Sequence, residues 1–358
     1  MSEVTDALVL QALKAVQDPD LHRDIVSLGF IKNLSINGGR VGFTIELTTP
    51  ACPVKDKMRE QARAAVVAVP GVTDVDVQMS AQVRAGVADF SRTGVPGVKN
   101  IIAVGAGKGG VGKTTVAVNL AIALAQCGSR VAMIDGDVYG PNVPIMLGLN
   151  TQLTTDGQKI LPAEQYGIHV VSMGFLTQED SPVIWRGPML HGVIQQFFRE
   201  VRWPDVDYLV VDMPPGTGDV ALSLSQVVPV TGAVVVTTPQ KVSLADTRRA
   251  VRMYQKLNIP TLGLIENMSY FVCPNCEHES DIFGKGGGEE LAASMKVPFL
   301  GSIPIYEPIR RGGDNGFPLV LSEPDSPPAR AFMATAEQLA AQISIASYKR
   351  PIPLTPVS

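Results

Sequence analysis

A chain of 358 residues, 45% of them hydrophobic, is long enough for two domains with buried cores. Thirty Lys and Arg against 34 Asp and Glu leave a net charge of −4 with no long basic run, which sets nucleic acid aside as a partner. The opening MSEVTDALVL lacks the basic stretch and cleavage site of a signal peptide, and apolar runs such as 233–236 are too short for a bilayer. The expectation is a cytoplasmic protein without a membrane partner, whose four cysteines serve as ligands or reduced thiols rather than disulfides.

In chain order, residues 4–16 place apolar side chains at helical spacing, and Asp18-Pro19-Asp20 ends that helix. Residues 30–36 and 41–47 alternate as strands around the hairpin signal Asn37-Gly38-Gly39. An amphipathic helix follows over 54–69, then a strand over 72–79. These elements predict a small α+β domain over residues 1–88. Cys52, in the loop TTPACP (48–53), is either a transient metal ligand or a half-buried thiol. Residues 89–97, with Ser, Thr, Gly and Pro, form the predicted linker. Apolar strand-like runs then recur at 101–105, 131–135, 167–172, 208–212, 233–237, 261–267 and 299–303, with helical patterns between most of them. That alternation predicts an α/β fold, a mainly parallel doubly wound sheet, over 98–345. A Pro-rich loose tail is predicted over 346–358.

The chemistry concentrates after the first of those strands. Gly107, Gly112, Lys113 and Thr114 satisfy G-x-x-x-x-G-K-[ST] between a strand and a helix, the context of a phosphate-binding loop. Backbone N–H groups of Gly107, Lys108, Gly109, Gly110, Val111, Gly112, Lys113, Thr114 and Thr115 are the expected phosphate cradle. Lys113 is expected to neutralise the β- and γ-phosphates, and Thr114 to offer its hydroxyl to Mg²⁺. Asp135 and Asp137 close the strand 131–135, and Asp212 closes the strand 208–212, the form of a Walker B acid. Asp135 and Asp212 are the candidate Mg²⁺ ligands beside Thr114. The segment 213–219, MPPGTGD, has the Gly and Pro content of a loop with two shapes. No guanine signature follows a late strand, so ATP is expected rather than GTP.

Cys273-Pro274-Asn275-Cys276 turns two thiols toward one metal. Because one CxxC supplies two ligands and a closed site usually needs four, the other pair is expected from a second copy across a two-fold axis. A 4Fe–4S cluster and a zinc ion both remain open, the latter with His278 as a nearby donor.

With Lys108 inside it, the loop KGGVGKTT resembles the deviant Walker A group of MinD and ParA partition ATPases, nitrogenase iron protein, arsenite ATPase and the Mrp/ApbC proteins. Together with DGDVYGPN (135–142), VDMPPGTGD (211–219), ENMSYFVCPNC (266–276) and GSIPIYEPIRRGGDNG (301–316), it is similar to the Mrp/ApbC iron–sulfur carrier ATPases. Residues 1–88 resemble the SufT-like domain often fused ahead of them. The resemblance implies a P-loop NTPase fold and a homodimer with ATP, Mg²⁺ and a 4Fe–4S cluster held by Cys273 and Cys276 of each chain. It also implies slow hydrolysis coupled to cluster delivery to apo iron–sulfur proteins. In the family's terms Lys108 reaches phosphate across the dimer, Asp137 orients the attacking water, and Asn267 faces adenine. The competing reading is a zinc-stapled positioning ATPase without cluster transfer.

Overall fold

In the computed structural model the described residues are 4–86, 94–137, 140–175, 187–216, 222, 224, 226–273, 275, 276 and 278–349. Most of the predicted linker, part of the 213–219 loop, Pro274 and the last nine residues lie outside them. The chain divides into two compact units, Met1–Arg84 and Ala85–Ser358.

The first unit contains α1 (Asp6–Leu13), β1 (Ile31–Asn37), β2 (Arg40–Leu47), α2 (Lys55–Val67) and β3 (Asp74–Ala81). Helix α1 stops short of the predicted residue 16 because the N–H groups of Ala15 and Val16 bond three residues back, to Ala12 and Leu13, tightening the last turn. β1 and β2 form the expected hairpin, with Gly38 at φ 63° in its turn. β2 and β3 run parallel in one three-stranded sheet. On β2 every second residue, Val41, Phe43, Ile45 and Leu47, is buried, as a one-sided sheet requires. Helix α2 buries Met58, Ala62 and Val66. Cys52 is buried in the loop ahead of it.

The second unit contains β4 (Val98–Ala106), α3 (Lys113–Gln126), β5 (Val131–Asp135), β6 (Ile168–Ser172), α4 (Gly187–Arg199), β7 (Val206–Asp212) and β8 (Gly232–Thr237). It continues with α5 (Lys241–Lys256), β9 (Thr261–Val272), α6 (Gly287–Met295), β10 (Phe299–Ile305), α7 (Glu307–Asp314) and α8 (Pro327–Lys349). These seven strands lie in the order β6-β5-β7-β4-β8-β9-β10, all parallel, and short antiparallel strands Ala163–Gln165 and Glu279–Ser280 pair with β6 and β9. β5, β7 and β8 are buried at every residue, which is why they read as continuous Val-, Ile- and Leu-rich runs rather than alternations. Helix α3 is buried from Val116 to Leu124 and packs against α8.

Two elements run longer than the sequence predicts. The sequence predicts that β9 ends at residue 267. Instead Met268 adopts φ 55°, the register to β10 shifts between Asn267 and Phe271, and the strand resumes to Val272. Helix α8 continues through residues 346–349, where the sequence predicts a loose tail. No prolines intervene before Pro351, so nothing breaks the backbone ladder there. Among the described residues no helix is long and apolar enough to cross a membrane.

Candidate functional site

The loop 107–112 leaves the carboxyl end of central strand β4 and enters α3. Gly110 and Gly112 hold φ 80° and 77°, and Gly112 caps α3. A Cβ at Gly112 would lie 2.3 Å from Asn267 Nδ2, and one at Gly107 would lie 2.3 Å from the Asp246 carbonyl carbon. Both positions therefore need glycine, the first for conformation and space, the second for space. The first N–H groups of α3 have no partner within the helix and add to its positive end, so the loop can receive an anion. Gly112→Ala is expected to raise the dissociation constant for ATP about tenfold, from a left-handed penalty of about 1–2 kcal/mol. Titration calorimetry checks this; an unchanged affinity would mean the loop does not bind the nucleotide in this shape.

Lys113 is 7% exposed, and its Nζ donates to Asp212 Oδ1 at 2.5 Å and to Thr114 Oγ1 at 3.2 Å. Thr114 Oγ1 donates in turn to Asp212 Oδ2 at 2.8 Å. β5 and β7 are in register at Asp135 and Asp212, so the two carboxylates end neighbouring strands. Asp135 is fully buried and accepts from Ser172 Oγ at 2.9 Å and from the N–H groups of Val143 and Asp137, each at 3.2 Å. Burial pushes the Asp135 carboxyl up to about 7, the Asp212 charge adds to the rise, and the hydrogen bond from Ser172 opposes it. Burial also raises Asp212, against the pull of Lys113.

The linkage has a definite sign. Between the ordinary carboxyl value of 3.8 and about 7, folded Asp135 holds a proton that the unfolded chain has lost. Stability of the nucleotide-free, Mg²⁺-free protein is therefore fullest below that window and is lost as pH rises through it, at up to about 1.4 kcal/mol per pH unit. Urea unfolding at about pH 5 and about pH 7, within that window and at its upper end, measures the fall. Asp135→Asn is expected to flatten it; an equal fall in the variant would assign it to another group.

Asn267 is buried and its Nδ2 donates to the Val111 carbonyl at 2.8 Å, so its amide nitrogen braces the phosphate loop. The family resemblance implies that this residue faces adenine; the loop backbone engages one N–H of its amide. Glu266, one residue earlier, was missed by the sequence reading. It is fully buried and accepts from Ser269 Oγ at 2.5 Å, from Gly286 N at 2.9 Å and from Gly288 N at 2.5 Å. It thereby ties β9 to the start of α6. Ser172 was missed too, and its position at the end of the strand beside Asp135 was the available signal.

Beyond Met268, β9 runs into a hairpin. Phe271 and Val272 pair with Ser280 and Glu279, and Cys273 N donates to the His278 carbonyl at 3.0 Å. Cys273 is half-buried and Cys276 exposed. The Asn275 N–H, then the Cys276 N–H and thiol, hold the Cys273 thiol below its usual range, which favours the thiolate a metal requires. Lys285 sits 4.4 Å from the Tyr270 ring centroid and 3.1 Å from Glu279, bracing the hairpin's base. Cys127 is the C-cap of α3, and Cys52 belongs to the other unit. Among the described residues no three His, Cys, Asp or Glu side chains are grouped to hold a metal, so one chain's hairpin presents two thiols.

The parallel strands thus bring residues 107–115, Asp135, Asp137, Asp212 and Asn267 to their carboxyl ends, and the extension of β9 carries Cys273 and Cys276 away from that centre. Lys108 is half-buried in the loop, and Gly109 would place a Cβ 3.8 Å from Pro215.

The chain is similar to proteins of known family. A family model described as NUBPL iron-transfer P-loop NTPase matches residues 97–340, and one described as iron–sulfur cluster assembly protein matches residues 6–79. The iron–sulfur cluster carrier protein of Synechocystis sp. is 50% identical over 349 residues, covering 96% of this chain and 99% of its own. The protein of that name from Escherichia coli K12 is 40% identical over 345 residues, covering 95% and 93%. Among solved structures, a nucleotide-binding protein from Archaeoglobus fulgidus in complex with ADP is 36% identical with a TM-score of 0.56, over 62% of this chain and 88% of that one. The cell division ATPase MinD of Pyrococcus furiosus is 27% identical with a TM-score of 0.51, over 67% and 97%. With both units matched and half of the residues shared across nearly the whole length, the chain belongs to the iron–sulfur cluster carrier family of P-loop NTPases.

Proposed function

We propose that this protein binds and hydrolyses ATP and carries a 4Fe–4S cluster, held between two copies by Cys273 and Cys276 of each, to apo iron–sulfur proteins. The observation that carries this reading is that β9 links the phosphate loop to the thiol turn. Asn267 holds the phosphate loop through Val111, and Cys273 opens the thiol turn six residues later, directly after the strand ends at Val272. A change in the loop can therefore pass toward the thiols along this strand, across the left-handed Met268 and the register shift that follow Asn267.

The chemistry follows from exchanges of partner. Without nucleotide, Lys113 and Thr114 satisfy Asp212. An arriving triphosphate draws Lys113 to its β- and γ-oxygens, a switch from one anion to another. That frees the Thr114 hydroxyl and the Asp212 carboxylate, hard oxygen donors of the kind Mg²⁺ takes, with Asp135 behind them. Bound Mg²⁺ would offset charge on the phosphate oxygens. Asp137 orients the attacking water, and Lys108 contacts phosphate of the second copy. Asp212 leads directly into Met213, whose N–H bonds the Val104 carbonyl, and into Gly216, whose N–H bonds Ala106. Release of Asp212 from Lys113 therefore reaches the 213–216 segment.

The test is metal content and visible absorbance of the protein isolated without oxygen, followed by cluster transfer to an apo-acceptor with and without ATP. Iron and sulfide with ATP-dependent transfer support the proposal. One zinc per two chains and no iron would favour the zinc-stapled ATPase.

A further inference from the structure

Helix α5 carries Lys241, Arg248, Arg249, Arg252 and Lys256, all exposed, in a chain of net charge −4. Arg249 has a carboxylate partner, Asp246 at 2.7 Å, and Arg248 reaches Ser294 Oγ at 3.5 Å. Among the described residues Lys241, Arg248, Arg252 and Lys256 pair with no carboxylate. Their spacing of seven, four and four residues lines them along one side of the helix, over roughly 22 Å at 1.5 Å per residue. Like charges four residues apart on a helix repel one another, so the row is not explained by pairing within α5. The opposite side, with Ser243, Thr247, Val251 and Tyr254, is buried.

The helix also touches both functional elements. A Cβ at Gly107, where the phosphate loop begins, would lie 2.5 Å from the Asp246 carbonyl oxygen. A Cβ at Gly287, just past the cysteine hairpin, would lie 2.7 Å from Leu244 Cδ1 and 2.9 Å from the Pro239 carbonyl oxygen. The start of α5 is thus wedged between the phosphate loop and the foot of the hairpin.

We infer that the exposed cationic side of α5 is a docking surface for the acidic face of a protein partner. Resting on the function proposed above, that partner is an apo-protein that takes the cluster. A folded protein fits better than a nucleic acid. Val242, 69% exposed, and exposed Ala245 lie among the cations as apolar contacts, and no exposed aromatic residue on the helix offers a base-stacking platform. Because the chain as a whole is acidic, an acidic partner is repelled elsewhere and steered to this side.

The test uses the full chain with Lys241→Glu, Arg248→Glu and Arg252→Glu combined, and fluorescein-labelled apo-ferredoxin as the acidic probe. Anisotropy at low salt is expected to show affinity falling at least about tenfold in the variant, with the wild-type affinity falling similarly as salt is raised. Basal ATP turnover and reconstituted iron are expected to stay at wild-type levels, which shows that the variant is folded. Equal binding by variant and wild type, or no binding by either, overturns the inference. So does a wild-type chain that binds a short DNA duplex through these residues and not the acidic protein. Binding of the probe needs no cluster, so a chain that never holds iron would sink the proposed function while leaving this surface decided by its own measurement.

Discussion

Replacing Lys113 with alanine is expected to reduce ATP turnover about 10²–10³-fold and, separately, to destabilise the nucleotide-free protein. The first effect is the loss of a cation aimed at the charge that develops on the phosphate oxygens. The second follows from burial. Lys113 is 7% exposed and Asp212 not at all, so removing the cation leaves a carboxylate in the interior with only the Thr114 hydroxyl against it. Breaking one side of a buried pair typically costs about 3–5 kcal/mol. Asp212 is already held above its usual range by desolvation, and it can take a proton, so the lower end of that span applies here. Lys113→Ala with Asp212→Asn removes both charges and is expected to regain most of the stability and none of the turnover. Urea unfolding and steady-state hydrolysis separate the two effects. If the single variant unfolds at the wild-type urea concentration, the Lys113–Asp212 pair is not the resting arrangement.

The second large effect is expected at the hairpin. Under anaerobic reconstitution two chains are expected to take up about four iron, and Cys273→Ala or Cys276→Ala to abolish uptake, since each removes two of four thiolate ligands from the pair. ATP turnover without acceptor is expected to stay within about twofold of wild type, because neither cysteine lies in the phosphate loop. Cys273 receives the N–H groups of Asn275 and Cys276, so its removal also takes away the acceptor that organises the turn. Iron analysis and visible absorbance check uptake. Full iron in Cys273→Ala would break the assignment of the cluster to this turn.

Much of the nucleotide end of the molecule could be read from the chain, for reasons that differ from residue to residue. Gly110 and Gly112 need left-handed backbone, a demand made within the loop itself, so they leave a compositional mark. Asp135 and Asp212 close buried apolar strands, where a carboxylate stands out. Asn267 was singled out too, but its engagement with Val111 depends on a residue 156 positions away. Glu266 looked like an ordinary strand residue, because two of its three partners, Gly286 and Gly288, come from beyond a hairpin. The continuation of β9 was hidden because the residue that turns left-handed is Met268, not a glycine. The cationic side of α5 was lost in the chain-wide balance of −4, which averages away any local asymmetry.

The phosphate loop, the acids at the strand ends and the paired thiols were determined within short stretches of sequence, since each needs only its own neighbours to form. Tertiary structure alone decided that Lys113 rests on Asp212, that Asn267 braces Val111, and that α5 meets both Gly107 and Gly287. Those contacts depend on the strand order β6-β5-β7-β4-β8-β9-β10. Buried parallel strands are nearly interchangeable in composition, so the identity of each strand's neighbour is settled only when the helices cover the sheet.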